Sequence, residues 1–351
     1  MTSVDQGCPS CNPSKDAGPD SRNGILRFSG PCILALYLLL SVLFANFYFQ
    51  TTIEWTPDDF SAYTYSSERY HWNPVFRFRV LVPLLARGVD CVLGVNLQWM
   101  YQALAGLCVF GSLIAYRRYL SNFLRADFSS ILSVAIVYPM LWNFCLLNKI
   151  YFPFDLPGLL FFVMGCHFIY RRNWGAYYPT LALATLNRET SCFLMFIFLV
   201  CLYRKMAARR LVWHLLAQTA LWISLRCLVF LIVGDYSEVL PKLTIAFNAR
   251  VILDMLTLRG NGLKDWVKLG LAFGGIWWAL PRVIRGQPVF LKRCLLVVVP
   301  FVIAVGLKGV VDEVRVYAEL IPIVLTPVVV AVAAELGGTR SGLSADDRGR
   351  E

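Results

Sequence analysis

The stretch PCILALYLLLSVLFANFYFQ, residues 31–50, runs twenty residues without a charged side chain. As a helix it would rise about 30 Å, the thickness of a bilayer's hydrocarbon core. Comparable apolar runs follow at 97–116, 129–147, 153–170, 175–187, 190–203, 211–233, 266–281, 294–307 and 317–336, ten in all. With 58% hydrophobic and 16% charged residues and a mean hydropathy of +0.59, the chain departs from a soluble domain, in which about a quarter of the residues are charged. The pattern predicts an all-α, polytopic transmembrane helical bundle with about ten membrane segments over 31–336.

The formal net charge of +11 does not imply nucleic acid, because the basic residues form short clusters between apolar runs and not one soluble face. Arg117/Arg118/Arg125, Arg171/Arg172, Arg204/Lys205/Arg209/Arg210 and Arg282/Arg285/Lys292/Arg293 occupy every second connection. That alternation places them, and both termini, in the cytoplasm. Residues 1–30 are expected to be a disordered cytoplasmic leader and 337–351 a disordered cytoplasmic tail. The first run is too long for a signal-peptide core and is expected to stay as an anchor. Cys8 and Cys11 form a CxxC without a second Cys or His pair at zinc spacing. Cys32, Cys108, Cys145, Cys166, Cys192, Cys201, Cys227 and Cys294 lie in or beside apolar runs and are expected to be buried small hydrophobes.

On this layout the non-cytoplasmic side receives the loop 51–96, the turn near 148–155, the 187–190 junction, the loop 234–265 and the segment 308–320. Nearly every acidic residue outside the termini falls there. Asp58 and Asp59 follow Pro57 in WTPDDF and suit either a helix N-terminus or a general base. Arg77 and Arg79 in RFRVLVPLLAR suit either snorkelling beside anionic lipid or recognition of a phosphate by forked guanidinium donors. The apolar stretch that follows them is broken by Pro83, Arg87 and Asp90, which fits an interfacial helix better than a span.

Asp155 sits between Pro153 and Pro157 as a helix cap or a site acid. Asn187, Arg188 and Glu189 form an NRE triplet between two apolar runs. They either pair among themselves or face a wet cavity, since charge at membrane depth is costly. Glu313 precedes Arg315, and Arg315 with Glu319 at i,i+4 suits an intrahelical pair. Four separate parts of the chain therefore bring acids and arginines to one surface. His71 is read as exposed, His167 and His214 as core residues, and the glycines of GLAFGG as sites of close helix packing. The sequence contains no GxxxxGK[ST], HExxH or GxSxG.

The first long outer loop with its WTPDDF acids resembles the GT-C superfamily of integral-membrane glycosyltransferases. FRFRVLVPLLAR, LNRETS and DEVRVYAELIPIVL are also similar to a set of bacterial polytopic membrane proteins with R-[IV]-L-x-P-L-L and N-[RK]-E motifs. The resemblance covers roughly 31–336, although neither WWDYG nor a DxD motif is present. It implies a bacterial inner-membrane enzyme that moves a sugar from a polyprenyl-phosphate or polyprenyl-diphosphate donor to a glycan, lipid or protein acceptor. Asp58 or Asp59 would be the base. Arg77, Arg79, Arg188 and Arg315 would hold phosphate, and Asp155, Asn187, Glu189 and Glu313 would orient the arginines or the sugar. No cofactor is indicated. A secondary transporter, a lipid-linked glycan polymerase or ligase, and a non-catalytic membrane scaffold are the alternatives.

Overall fold

The computed structural model describes residues 30–52, 78–147, 151–233 and 241–339. Among the described residues the chain is helical, with an isolated antiparallel bridge between Leu124 and Thr339. All ten apolar runs are helical. Among the described residues six helices are long and apolar enough to cross a membrane: α1 (Gly30–Thr52), α3 (Leu97–Leu120), α4 (Ala126–Leu146), α8 (Ala208–Val233), α12 (Val289–Leu307) and α13 (Val314–Glu335). The pair α10 (Gly262–Gly270) and α11 (Ala272–Gly286), bent by 64°, makes a seventh if counted as one span. The runs at 153–170, 175–187 and 190–203 fold as the shorter helices α5 (Asp155–Arg171), α6 (Trp174–Asn187) and α7 (Glu189–Leu202). Two further helices, α2 (Leu81–Leu93) and α9 (Pro241–Thr257), fill the described connections.

Burial separates core helices from peripheral ones. In α13, 83% of the most apolar window is enclosed by protein, against 11% in α8. An apolar helix that shows most of its surface outward has lipid as its partner. Helix α2 is too short to span at about 20 Å. It buries Val82, Pro83 and Ala86 and exposes Leu84, Leu85, Val92 and Leu93, as a one-sided surface helix should. Cys108, Cys145, Cys166, Cys201 and Cys294 are buried as expected, whereas Cys32 and Cys227 lie on the outside of the bundle.

The glycines of GLAFGG do more than permit packing. Phe273, Gly274 and Gly275 all adopt positive φ (56°, 66° and 75°), and this left-handed run makes the break between α10 and α11. A side chain at Gly274 would also collide with Tyr138 and Trp142. The break is held from α4, where Asn143 Oδ1 accepts from Phe273 N–H (2.7 Å) and Tyr138 O–H donates to the Gly274 carbonyl (3.0 Å).

The hairpin of α5 and α6 gives the bundle two chemically distinct ends. At one end the basic connections meet: Arg172 Nη2 donates to Lys205 O (3.3 Å), Arg293 Nη1 to Tyr203 O (2.9 Å), and Arg125 N–H to Gly338 O (3.0 Å). The last contact and the Leu124 bridge keep the chain attached through Thr339, past the expected tail boundary at 337. At the other end lie the first residue of α5, the last of α6 and the first turn of α13.

Candidate functional site

Asp155 is the first residue of α5, but it does not cap it; position N-cap belongs to Phe154, without a side-chain bond. Both carboxylate oxygens are used elsewhere. Oδ1 accepts from Arg188 Nη1 (3.1 Å) and Oδ2 from Arg315 Nη1 (3.1 Å), with all three side chains almost fully buried. A buried carboxylate between two guanidiniums is stable only as a set, because each charge compensates the desolvation of the others.

Arg188 reaches this position because α6 stops at Asn187. Its own backbone is extended (φ −153°, ψ 148°), and Glu189–Ser191 then forms a 3₁₀ turn that opens α7. The NRE triplet does not pair internally. Asn187 Nδ2 donates to Phe154 O (2.9 Å), Arg188 reaches Asp155 and, through Nε at 3.4 Å, Glu319, and Glu189 takes Arg79 Nη2 at 3.3 Å. Thr190 O–H completes the turn by donating to Glu319 Oε1 (2.7 Å).

The expected i,i+4 pair of Arg315 with Glu319 is absent among the ion pairs of these two side chains. Residues Val314–Leu320 form a 3₁₀ helix. With three residues per turn, positions four apart point away from each other. Arg315 instead donates Nε (3.0 Å) and Nη2 (2.6 Å) to Glu313 Oε1, and Glu319 turns to Arg188 and Thr190. Gly158, one turn after Asp155, lets these side chains close on α5; a Cβ there would stand 3.1 Å from Glu319 Oε1.

Aromatic rings floor the cluster. The Arg315 guanidinium lies 3.4 Å from the Phe152 ring centroid, and that of Arg79 lies 5.4 Å from Phe154. YFPFD thus supplies two ring faces and one carboxylate to three arginines. Burial pushes the Arg79 guanidinium down from its ordinary value, and the neighbouring Glu189 carboxylate pulls it back up.

The cluster has a dry centre and two accessible rims. Asp155, Arg188, Arg315 and Glu319 are at most 4% exposed at the side chain, whereas Glu189 is 39% and Glu313 26% exposed. Seven of the charged or amide residues expected at the site, Arg79, Asp155, Asn187, Arg188, Glu189, Glu313 and Arg315, therefore meet in one place. Asp58, Asp59, Arg77 and His71 lie outside the described residues. Thr190 is not among the residues expected at the site, and Glu319 is expected only as the intrahelical partner of Arg315. The signal for Thr190 was its place beside the NRE triplet; Glu319 was obscured by the assumption of α-helical pitch.

His167 and His214, expected in the core, are only half-buried, and each is hydrogen-bonded: His167 Nδ1 to Asn122 Nδ2 (3.1 Å) and His214 Nδ1 to Tyr178 O–H (2.8 Å). Among the described residues, no group of three or more His, Cys, Asp or Glu side chains is placed to hold a metal ion.

The apolar helices and the charge cluster sealed among them define an all-helical integral membrane protein. No family model, curated protein or solved structure matches the chain.

Proposed function

We propose that the protein is an integral-membrane glycosyltransferase of GT-C-like architecture. It transfers a sugar from a polyprenyl-phosphate or polyprenyl-diphosphate donor to an acceptor at the non-cytoplasmic face. The observation that carries this reading is the meeting of arginines and carboxylates from α5, the α6–α7 junction, the segment before α2 and the start of α13 at one end of the bundle. In this reading α5, α6 and α7 cross the membrane as short segments shielded by their neighbours, giving ten spans. The basic end is cytoplasmic, as in a bacterial inner-membrane protein.

The chemistry divides along the dry centre and the rims. Arg188 and Asp155 hold the scaffold rigid. At the rims, Arg79 and Arg315 are paired to accessible carboxylates, Glu189 and Glu313, and an incoming phosphate replaces one such carboxylate on a guanidinium fork. Arg77, two positions before Arg79 in the sequence, adds a further positive charge to the donor-binding set. Asp58 or Asp59 takes the acceptor hydroxyl's proton as its oxygen attacks the anomeric carbon and the lipid phosphate leaves with the bonding pair. The test is single-turnover transfer by the purified protein from prenyl-phosphate sugars, guided by mass spectrometry of the lipids and glycans lost on deletion. Unaltered envelope glycans and no transfer would refute the assignment.

A secondary transporter is the second reading, favoured by the break between α10 and α11, since discontinuous helices mark many transport sites. The broken backbone at 273–275 is apolar and carries no charge, and the charged cluster stands on other elements.

A further inference from the structure

Helix α8 is the outermost long helix of the bundle, yet its inner edge carries polar side chains at four-residue spacing: His214, Gln218, Trp222 and Arg226. Three of them are settled on side chains of α6 and α7. His214 bonds to Tyr178, Gln218 Oε1 accepts from Tyr177 O–H (2.9 Å), and Trp222 Nε1 donates to Ser191 Oγ (3.1 Å). Arg226 differs. Its partners are a backbone carbonyl, Phe78 O at 3.1 Å from Nη1, and the Phe78 ring, 5.9 Å from the guanidinium carbon. Among the described residues it has no ion pair, whereas Arg79, Arg188 and Arg315 are each bound to carboxylates.

Its surroundings are apolar and exposed. Arg226 is half-buried, and Cys227, Leu228, Phe230 and Leu231 beside it are exposed on the outside of α8. It stands seven residues before the helix end at Val233, about 10 Å of rise. Phe230 stacks on Phe78 at 5.8 Å, so the guanidinium is held against an aromatic pair beside an apolar surface. Arg226 also adds to the positive field at Glu189, which joins it to the Arg79 rim. A guanidinium on a lipid-facing helix is costly unless it meets an anion or reaches the headgroups.

We propose that Arg226 is the docking residue for the phosphate of a prenyl-phosphate lipid entering sideways from the bilayer. Its fork takes the phosphate oxygens while the prenyl chain lies along Phe230 and the exposed face of α8. The phosphate then moves inward to Arg79, whose partner Glu189 is the more accessible carboxylate. This inference rests on the glycosyltransferase reading for its choice of lipid. It moves first contact with phosphate from Arg79 and Arg315 to an arginine outside both the FRFRVLVPLLAR and the LNRETS stretches.

The test uses the full chain in nanodiscs, titrated with farnesyl phosphate, phosphatidylglycerol and inorganic phosphate, with bound ligand counted by native mass spectrometry. Wild type should prefer farnesyl phosphate over both others. Arg226→Gln should weaken farnesyl phosphate by about tenfold, the scale of one charge-assisted contact. Arg226→Lys keeps the charge and a donor for Phe78 O, so it should fold and show an intermediate loss. Undiminished farnesyl phosphate binding in both variants overturns the inference and leaves the glycosyltransferase reading standing. An equal loss of phosphatidylglycerol reduces Arg226 to a general lipid contact, and equal affinity for inorganic phosphate makes it a free-anion site; either overturns the proposal. A wild type with no preference for farnesyl phosphate overturns both.

Discussion

Arg188 and Arg315 share one carboxylate, each 3.1 Å from a different oxygen of Asp155, although 127 positions separate them in the chain. The arrangement ties α5, the α6–α7 junction and the start of α13 into one rigid unit. Asp155→Ala would leave two guanidiniums buried without their common partner. The expected cost is about 3–5 kcal/mol, typical of breaking a buried ion pair from one side. Thermal unfolding in nanodiscs should show a large drop for Asp155→Ala. The Asp155→Ala/Arg315→Met double variant should recover part of it, because one orphaned charge goes with the acid. Additive losses would mean that the two side chains are not energetically coupled.

Gly158 offers a gentler perturbation of the same unit. Alanine is the better helix former by about 1 kcal/mol, so at an unconstrained site Gly158→Ala would stabilise the protein. Here the new methyl meets Glu319 Oε1 at 3.1 Å and Arg188 Cδ at 3.5 Å, and both side chains are pinned by their partners. A net loss of melting temperature is expected, reduced when Glu319 is shortened to Asp. A stabilised single variant would show that the network yields easily.

How much of this was legible beforehand depends on which interactions are local. The ten apolar runs, the one-sided helix after Arg79 and the meeting of Asp155, Arg188 and Arg315 followed from hydropathy and charge alternation, which act residue by residue. Three features did not. The Arg315–Glu319 pairing failed because 3₁₀ pitch was imposed on 314–320, a tertiary effect with no signature in spacing. The left-handed run at 273–275 includes Phe273, a residue that gives no warning of positive φ, and is held by Asn143 from a distant helix. Whether Asp155 was a helix cap or a site acid stayed open in the sequence, because Asp between prolines at a helix start suits both; its partners at positions 188 and 315 decide for the site.

Orientation gives a prediction independent of chemistry. If the basic end is cytoplasmic, cysteines introduced at Ser67 and Ser237 in a background without reactive native thiols should label with an impermeant maleimide in intact cells. One at Ser121, where α3 ends beside Arg117 and Arg118, should not. Labelling at Ser121 with protection at Ser67 would invert the topology and move the charge cluster to the cytoplasmic face.

The proposed base is tested by Asp58→Asn and Asp59→Asn. General-base assistance contributes about 10²–10⁴-fold, so the variant that removes it should lose that much single-turnover transfer while still binding donor. The other should lose much less, since adjacent acids need not share a role. If both retain full transfer, the proton acceptor lies elsewhere, and the rim acids Glu189 and Glu313 become the ones to examine.

Arg188→Lys and Glu189→Gln separate the dry centre from the rim, though the two residues are neighbours in sequence. Lysine keeps the charge of Arg188 but has no fork with which to reach Asp155 and Glu319 together, and both acids are almost fully buried. Stability should therefore fall, and donor binding should fall only as far as the scaffold loosens. Glu189 is the reverse case. Its pairing with Arg79 is long, 3.3 Å, and its side chain is 39% exposed, but Arg79 is only 7% exposed, so Glu189→Gln should cost some stability, less than the about 3–5 kcal/mol of Asp155→Ala because the lost acid is itself accessible. The same change frees the Arg79 fork from a competing carboxylate, so affinity for farnesyl phosphate should rise and its dependence on salt should steepen. Melting curves and phosphate-lipid titrations on both variants decide the matter. A Glu189→Gln destabilised as much as Asp155→Ala, with weaker phosphate binding, would make Glu189 part of the scaffold and leave Arg79 without a role in receiving the donor.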